Sequence, residues 1–185
     1  MKRSACFALC FMAAACMFAV TSCTDSEPSV TAVTTAETGA TGIGNPWKDA
    51  MTLEEAAYGA NLNDFVIDED SPVDGASINP LIYKYTDSLA EATYSYKGIH
   101  IVIRKSDIEY SESTDISGTY NDYDHEWTLD VNGMNVTCSG YAEGETVKAI
   151  WTDGDLCYSI LVDEAEEETG TLTDKAVEDL VKAVE

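Results

Sequence analysis

The chain has 185 residues, with 34 Asp and Glu against 10 Lys and Arg, and a net charge of −24 at pH 7. Nucleic acid requires a basic face and anionic lipid head groups require basic clusters, so this balance excludes both as direct partners. It favours solubility, cationic partners and weak divalent-cation association, and the plainest reading is a solvated acidic surface.

Lys2 and Arg3 precede an uncharged apolar run, Ala5 to Val20, that ends in small residues, which are the three parts of a secretory signal. Val20-Thr21-Ser22-Cys23 resembles a bacterial lipobox: an aliphatic residue, two small residues, then the cysteine that takes a lipid. The resemblance implies a signal peptide over residues 1–22, cleavage before Cys23 and diacylglycerol on the Cys23 thiol. Two palmitate-type chains anchor stably where one is marginal, at about 0.8 kcal/mol per buried CH₂. The run is short for a membrane span, and no basic stop-transfer cluster follows it. Loss of the two charges on Lys2 and Arg3 takes the net charge from −24 to −26. Residues 23–44 are Thr, Ala, Ser, Gly and Glu with almost no large apolar side chain, the composition of a flexible tether. Residues 45–185 are then enough for one domain.

Within that domain, Thr52-Leu53-Glu54-Glu55 reads as a capping box, with Thr52 as N-cap and Glu55 reaching back. Ala56, Ala57 and Tyr58 continue a short helix that Gly59 ends. Leu62, Phe65 and Ile67 suggest a first strand, and the acidic stretch Asp68 to Ser77 a loop. Short strands follow at Leu81 to Thr86, Ala92 to Tyr96 and Ile99 to Arg104, the last two joined by Lys97-Gly98. Ser106 to Asp124 is polar and reads as a long loop. Trp127, Leu129 and Val131 alternate, Asn132-Gly133 is a strong hairpin signal, and Met134, Val136 and Cys138 return from it. Val147, Ala149 and Trp151 lead to a second turn at Asp153-Gly154, then Leu156, Tyr158, Ile160 and Val162. The acidic run Asp163 to Glu168 ends the sheet. Thr171 or Thr173 caps a last helix, whose stripe Leu172, Ala176, Val177, Leu180, Val181 and Val184 packs on the sheet. The expected fold is α+β: an antiparallel meander, a short helix before it, and an amphipathic C-terminal helix on one face.

Asn45-Pro46-Trp47, Thr52-Leu53-Glu54-Glu55-Ala56, Ile101-Val102-Ile103-Arg104-Lys105, Asp115-Ile116-Ser117-Gly118 and Ala149-Ile150-Trp151-Thr152-Asp153-Gly154-Asp155 occur with a tyrosine-rich meander. In these the domain resembles the domain-of-unknown-function 4367 family, over roughly residues 45–185. The resemblance implies a small envelope domain of a Gram-positive bacterium, held as a lipoprotein or as the outer part of an anti-sigma or sporulation-linked membrane protein. It implies no activity and no site residues. Cys138 and Cys157 stand where ordinary strand residues are expected, which suits their packing as small hydrophobes.

A disulfide between Cys138 and Cys157 is chemically permitted outside the cytoplasm. If their strands flank a common strand, they lie about 9–10 Å apart, too far to bridge. His100 and His125 are the only histidines; His125 follows Asp122 and Asp124, but two scattered histidines do not converge as metal ligands must. Asp68, Glu69, Asp70 and Asp74 are candidate calcium ligands whose spacing departs from the EF-hand pattern. Tyr83, Tyr85, Tyr94, Tyr96, Tyr110, Tyr120, Tyr123 and Tyr158 are candidates for a sugar or peptide platform, or are simply strand formers. Asn135-Val136-Thr137 matches a glycosylation sequon by chance composition of a strand. There is no Gly-x-Ser-x-Gly elbow, no Ser-x-x-Lys and no phosphate-cradling glycine loop. The expectation is a non-catalytic, cofactor-free module, tethered outside the cell membrane by lipid on Cys23. It would bind an envelope protein, peptide or other component through the sheet or the Ser106–Asp124 loop. The alternatives are an apolar-ligand carrier, with the sheet curled around the last helix, and a hydrolase using His125 with Asp122 or Asp124.

Overall fold

The computed structural model describes residues 45–111, 113–163 and 170–184. The signal peptide, the lipidation site Cys23, the tether and most of the acidic run after Asp163 lie outside the described residues. Two short helices and eight strands make up the described part: β1 (Lys48–Ala50), α1 (Leu53–Gly59), β2 (Ile78–Tyr85), β3 (Leu89–Tyr96), β4 (Ile99–Asp107), β5 (His125–Val131), β6 (Met134–Gly140), β7 (Lys148–Asp153), β8 (Leu156–Val162) and α2 (Asp174–Ala183). Among these, no helix is long and apolar enough to cross a membrane.

All eight strands form one antiparallel sheet in the order β1-β2-β3-β4-β8-β7-β6-β5. The expected meander is therefore broken once. β1 to β4 run in sequence; the chain then crosses to the far edge, and β5 to β8 walk back until β8 meets β4. The reason is burial. β4 and β8 are the most aliphatic strands, and their register sets Ile101 against Val162 and Ile103 against Ile160 at the centre, all buried. Strands this rich in buried aliphatic side chains gain most from a central position, where the helices cover them fully.

Side chains alternate across the sheet. One face carries Ala92, Tyr94, Ile101, Ile103, Ile160, Ala149 and Val136, and is covered by Ala56 and Ala57 of α1 and by Val177, Leu180 and Val181 of α2. Thr52 caps α1 through Glu55 N, while the Glu55 carboxylate accepts from Met51 N, one residue before the cap. Gly59 is the last residue of the helix, as expected, but not its left-handed cap: Ala60 closes the helix and Asn61 turns left-handed at φ 59°. Gly59 instead lets the Tyr85 ring lie against the backbone, where a Cβ would collide with it. Thr173 caps α2 by accepting from Ala176 N.

Leu62, Phe65 and Ile67 form no strand. They are buried as an irregular cover on the core, and Ile67 makes only a single bridge to Val184. Lys97-Gly98 and Asn132-Gly133 both have two left-handed residues, the type I′ turn that matches strand twist. The last hairpin is centred one residue later than expected, on Gly154-Asp155, with only Gly154 at positive φ, which is the type II′ pattern.

Candidate functional site

The topology forces one long connection. Residues 108–124 must travel from the end of β4 to β5 at the far edge, passing across the sheet face opposite the helices. That face carries Glu91, Arg104 and Lys148, and these charges hold the connection down.

Glu91 and Arg104 are directly opposed in the β3–β4 register. Arg104 Nε and Nη2 both donate to Glu91 Oε2, at 2.8 and 2.7 Å. Arg104 Nη1 donates to the carbonyls of Ile116, at 3.1 Å, and Ser117. The pair is largely sealed from solvent, with the side chains 16% and 10% exposed. Trp47 stacks over the guanidinium, with Arg104 Cζ 5.5 Å from its ring centroid. Gly118 adopts φ +73°, and a Cβ there would collide with Arg104 Nη1, so this position needs glycine on two grounds. Further along, Lys148 Nζ donates to Asp115 Oδ2 at 2.9 Å. Asp115 Oδ1 accepts from Ser117 N and Oγ, closing a local turn. Burial pushes the Asp115 carboxyl up, but its bonds from Ser117 and Lys148 outweigh that and hold it below the usual carboxylate range.

Between this pinned segment and the first half of the sheet lies an open cleft of about 800 Å³. Thr86, Ser88, Thr119 and the buried Ser106 line it, and Trp47 and Tyr120 stand among its walls. Tyr120 is 98% exposed.

The residues singled out by sequence are dispersed. His100 is half-buried on β4; His125 is exposed at the start of β5, four strand positions away, about 19 Å by strand spacing. Asp122 and Asp124 are exposed just before it. Among the described residues no three His, Cys, Asp or Glu come together to hold a metal. The acidic loop is spent on internal bonds. Asp68 accepts from Asp70 N and Ser71 Oγ. Glu69 Oε1 accepts from Tyr94 Oη at 2.9 Å and Tyr83 Oη at 3.2 Å. Asp74 pairs with Lys97 at 2.8 Å.

Nor do the strand tyrosines form a platform: Tyr94, Tyr96 and Tyr158 are core residues. Tyr110 and Tyr120 are the exposed ones of the eight, and only Tyr120 borders the cleft. The disulfide is not made, and both cysteines are free and buried. β7 does separate their strands, and in register Cys138 lies on the helix-covered face while Cys157 lies on the opposite one. Burial raises both thiols, Cys138 to about 11. Asn135 and Thr137 share the sheet face away from the helices, on β6.

Sequence reasoning missed Arg104 as the pin of the long loop, and it missed Lys105. Lys105 lies on the core face, 1% exposed, with its Nζ 2.8 Å from Asp64 Oδ1 and 5.9 and 5.5 Å from the rings of Phe65 and Tyr158. The Glu91–Arg104 pair had a readable signal. Counting outward from the two-residue turn Lys97-Gly98 sets Glu91 opposite Arg104.

No protein-family model matches the chain, and no curated protein or solved structure is significantly similar to it.

Proposed function

We propose that this chain is an extracytoplasmic lipoprotein, anchored through Cys23, whose domain over residues 45–185 is a non-catalytic binding module of the cell envelope. The observation that carries the binding reading is the pinned crossover. Residues 108–124 are fastened to the sheet by Arg104 and Lys148 and leave a walled cleft beside them. A loop held by a rigid scaffold is where binding residues concentrate, and a pre-ordered loop loses little entropy when it binds. The lipobox motif supports the address. The likeness to the domain-of-unknown-function 4367 family belongs to the same proposal and rests on the motifs quoted above.

Two features weigh against the rival readings. The apolar face is filled by α1, α2 and residues 62–67, which leaves little room for an enclosed lipid. His125 stands exposed at the sheet edge rather than in the cleft.

The test is in-cell crosslinking of the native lipidated protein, followed by mass spectrometry, with Cys23→Ser as the control that releases or mislocalises it. A reproducible partner whose crosslinks map to residues 108–124 is the expected result. Turnover of an envelope substrate by the purified chain, lost on a point mutation, would overturn the non-catalytic reading.

A further inference from the structure

The cleft beside the crossover has a chemical character that narrows its ligand. Its two charged walls are already neutralised: Arg104 by Glu91, and Asp115 by Lys148. A ligand entering there meets no unbalanced charge. An anion or a cation would find its counter-ion engaged, at 2.7 Å on one side and 2.9 Å on the other. Aliphatic walls are sparse, with Leu89 and Ile116 the only large aliphatic side chains among them, so an acyl chain finds little to bury against.

What the cleft does offer is hydroxyls and aromatic faces. Thr86, Ser88 and Thr119 line it with hydroxyl groups, a chemistry that both donates and accepts. Thr119 Oγ1 accepts from Asn121 N at 3.3 Å, which leaves its own hydrogen to donate to a ligand, while Ser106, 2% exposed, spends its proton on Ser88 O at 2.7 Å and serves as floor rather than as a ligand contact. Trp47 and Tyr120 supply flat apolar rings with a polar tip. Tyr120 is almost fully exposed, directly after a segment that is pinned in place. An exposed ring on a rigid mount has nothing of its own to pack on. It suits a flat partner with C–H groups on its face and hydroxyls around its rim.

From this balance we infer that the cleft binds a neutral oligosaccharide, one sugar ring lying on Tyr120 and its hydroxyls bonded by the serine and threonine walls. The inference deepens the binding-module reading and rests on it. Its volume, about 800 Å³, falls within the range of small-ligand sites, roughly 300–1,000 Å³.

The experiment uses the full lipidated chain in micelles of a non-glycosidic detergent. Chitohexaose, cellohexaose and mannohexaose are titrated by calorimetry and by tryptophan fluorescence, in which Trp47 of the cleft emits beside Trp127 and Trp151. The expected result is saturable binding of at least one of them. Tyr120→Ala should then weaken it about tenfold, the size of one aromatic contact, with an unchanged melting temperature, while Tyr120→Phe keeps most of the affinity. Binding of none of the three, or equal binding by Tyr120→Ala, overturns the inference. In that event the crosslinking experiment separates the two readings. A protein partner lost in Tyr120→Ala leaves the binding module standing with a different ligand, and no partner at the loop removes both.

Discussion

Arg104→Met removes one side chain and should undo both the centre of the outer face and the mooring of the crossover. Both ends of the Glu91–Arg104 pair are mostly buried, so water cannot replace the guanidinium at Glu91. Stranding a buried carboxylate in this way costs about 3–5 kcal/mol. The carbonyls of Ile116 and Ser117 also lose their donor; Ser117 is fully buried, so its carbonyl reaches water only as the loop lifts from the sheet, and that release limits what it adds. The whole effect is then about 3–5 kcal/mol, a fall of roughly 10–20 °C in Tm for a domain of this size. Equilibrium urea unfolding followed by tryptophan fluorescence reads it directly. The double variant Arg104→Met/Glu91→Leu leaves no stranded charge and should recover at least about 2 kcal/mol. The loop stays unmoored in both variants, so limited proteolysis within residues 108–124 should rise in both, including the more stable one. A loss under about 1 kcal/mol in Arg104→Met, with loop cleavage unchanged, would refute the reasoning, since it would mean that the pair is solvated like a surface salt bridge.

Gly118→Ala should destabilise by about 1–2 kcal/mol, because a side chain is forced into the left-handed region and onto Arg104; an unchanged Tm would show that the loop moves away freely. Lys105→Met should be neutral or stabilising by about 1 kcal/mol, since Asp64 is 67% exposed and stays hydrated without its partner; urea unfolding checks it. The folded pKa of Asp115 lies below its unfolded value, so its contribution is present above the unfolded value and is lost as pH falls through the folded one. Loop protection from protease should therefore be level from about pH 8 to 5 and decline below about pH 4, and Asp115→Asn should remove that decline. Without reductant, iodoacetamide at pH 8 should leave Cys138 and Cys157 largely unmodified in the folded protein and alkylate both after urea unfolding, because burial holds both thiols protonated. Failure of the unfolded, unreduced chain to take both labels would reveal a disulfide.

Local information in the sequence went far. The caps at Thr52 and Thr173, the type I′ turns at Lys97-Gly98 and Asn132-Gly133, and the apolar stripe of α2 all depend on neighbours a few residues apart. Their physical signals, a side-chain acceptor or a left-handed dipeptide, are written in the residues themselves. The same is true of the pairing of β3 with β4, because a two-residue turn dictates every partner along both strands. The motif at Cys23 is local in the same way and carries the proposed address.

What tertiary structure alone decided was which strand lies beside which. Nothing near β4 in sequence announces that β8 will be its neighbour; the gain comes from burying Ile101, Ile103, Ile160 and Val162 together, residues far apart in the chain. That one pairing sends residues 108–124 across the outer face. It turns Arg104 from a strand-end cation into a mooring and places Trp47 and Tyr120 on one cleft. It also buries Lys105 on the core side and puts Cys138 and Cys157 on opposite faces. Leu62, Phe65 and Ile67 failed as a strand for the same reason: their apolar pattern specified burial, but only the assembled sheet determined whether a hydrogen-bonding edge was there to receive them. The site is thus a product of long-range packing, which local patterns cannot encode.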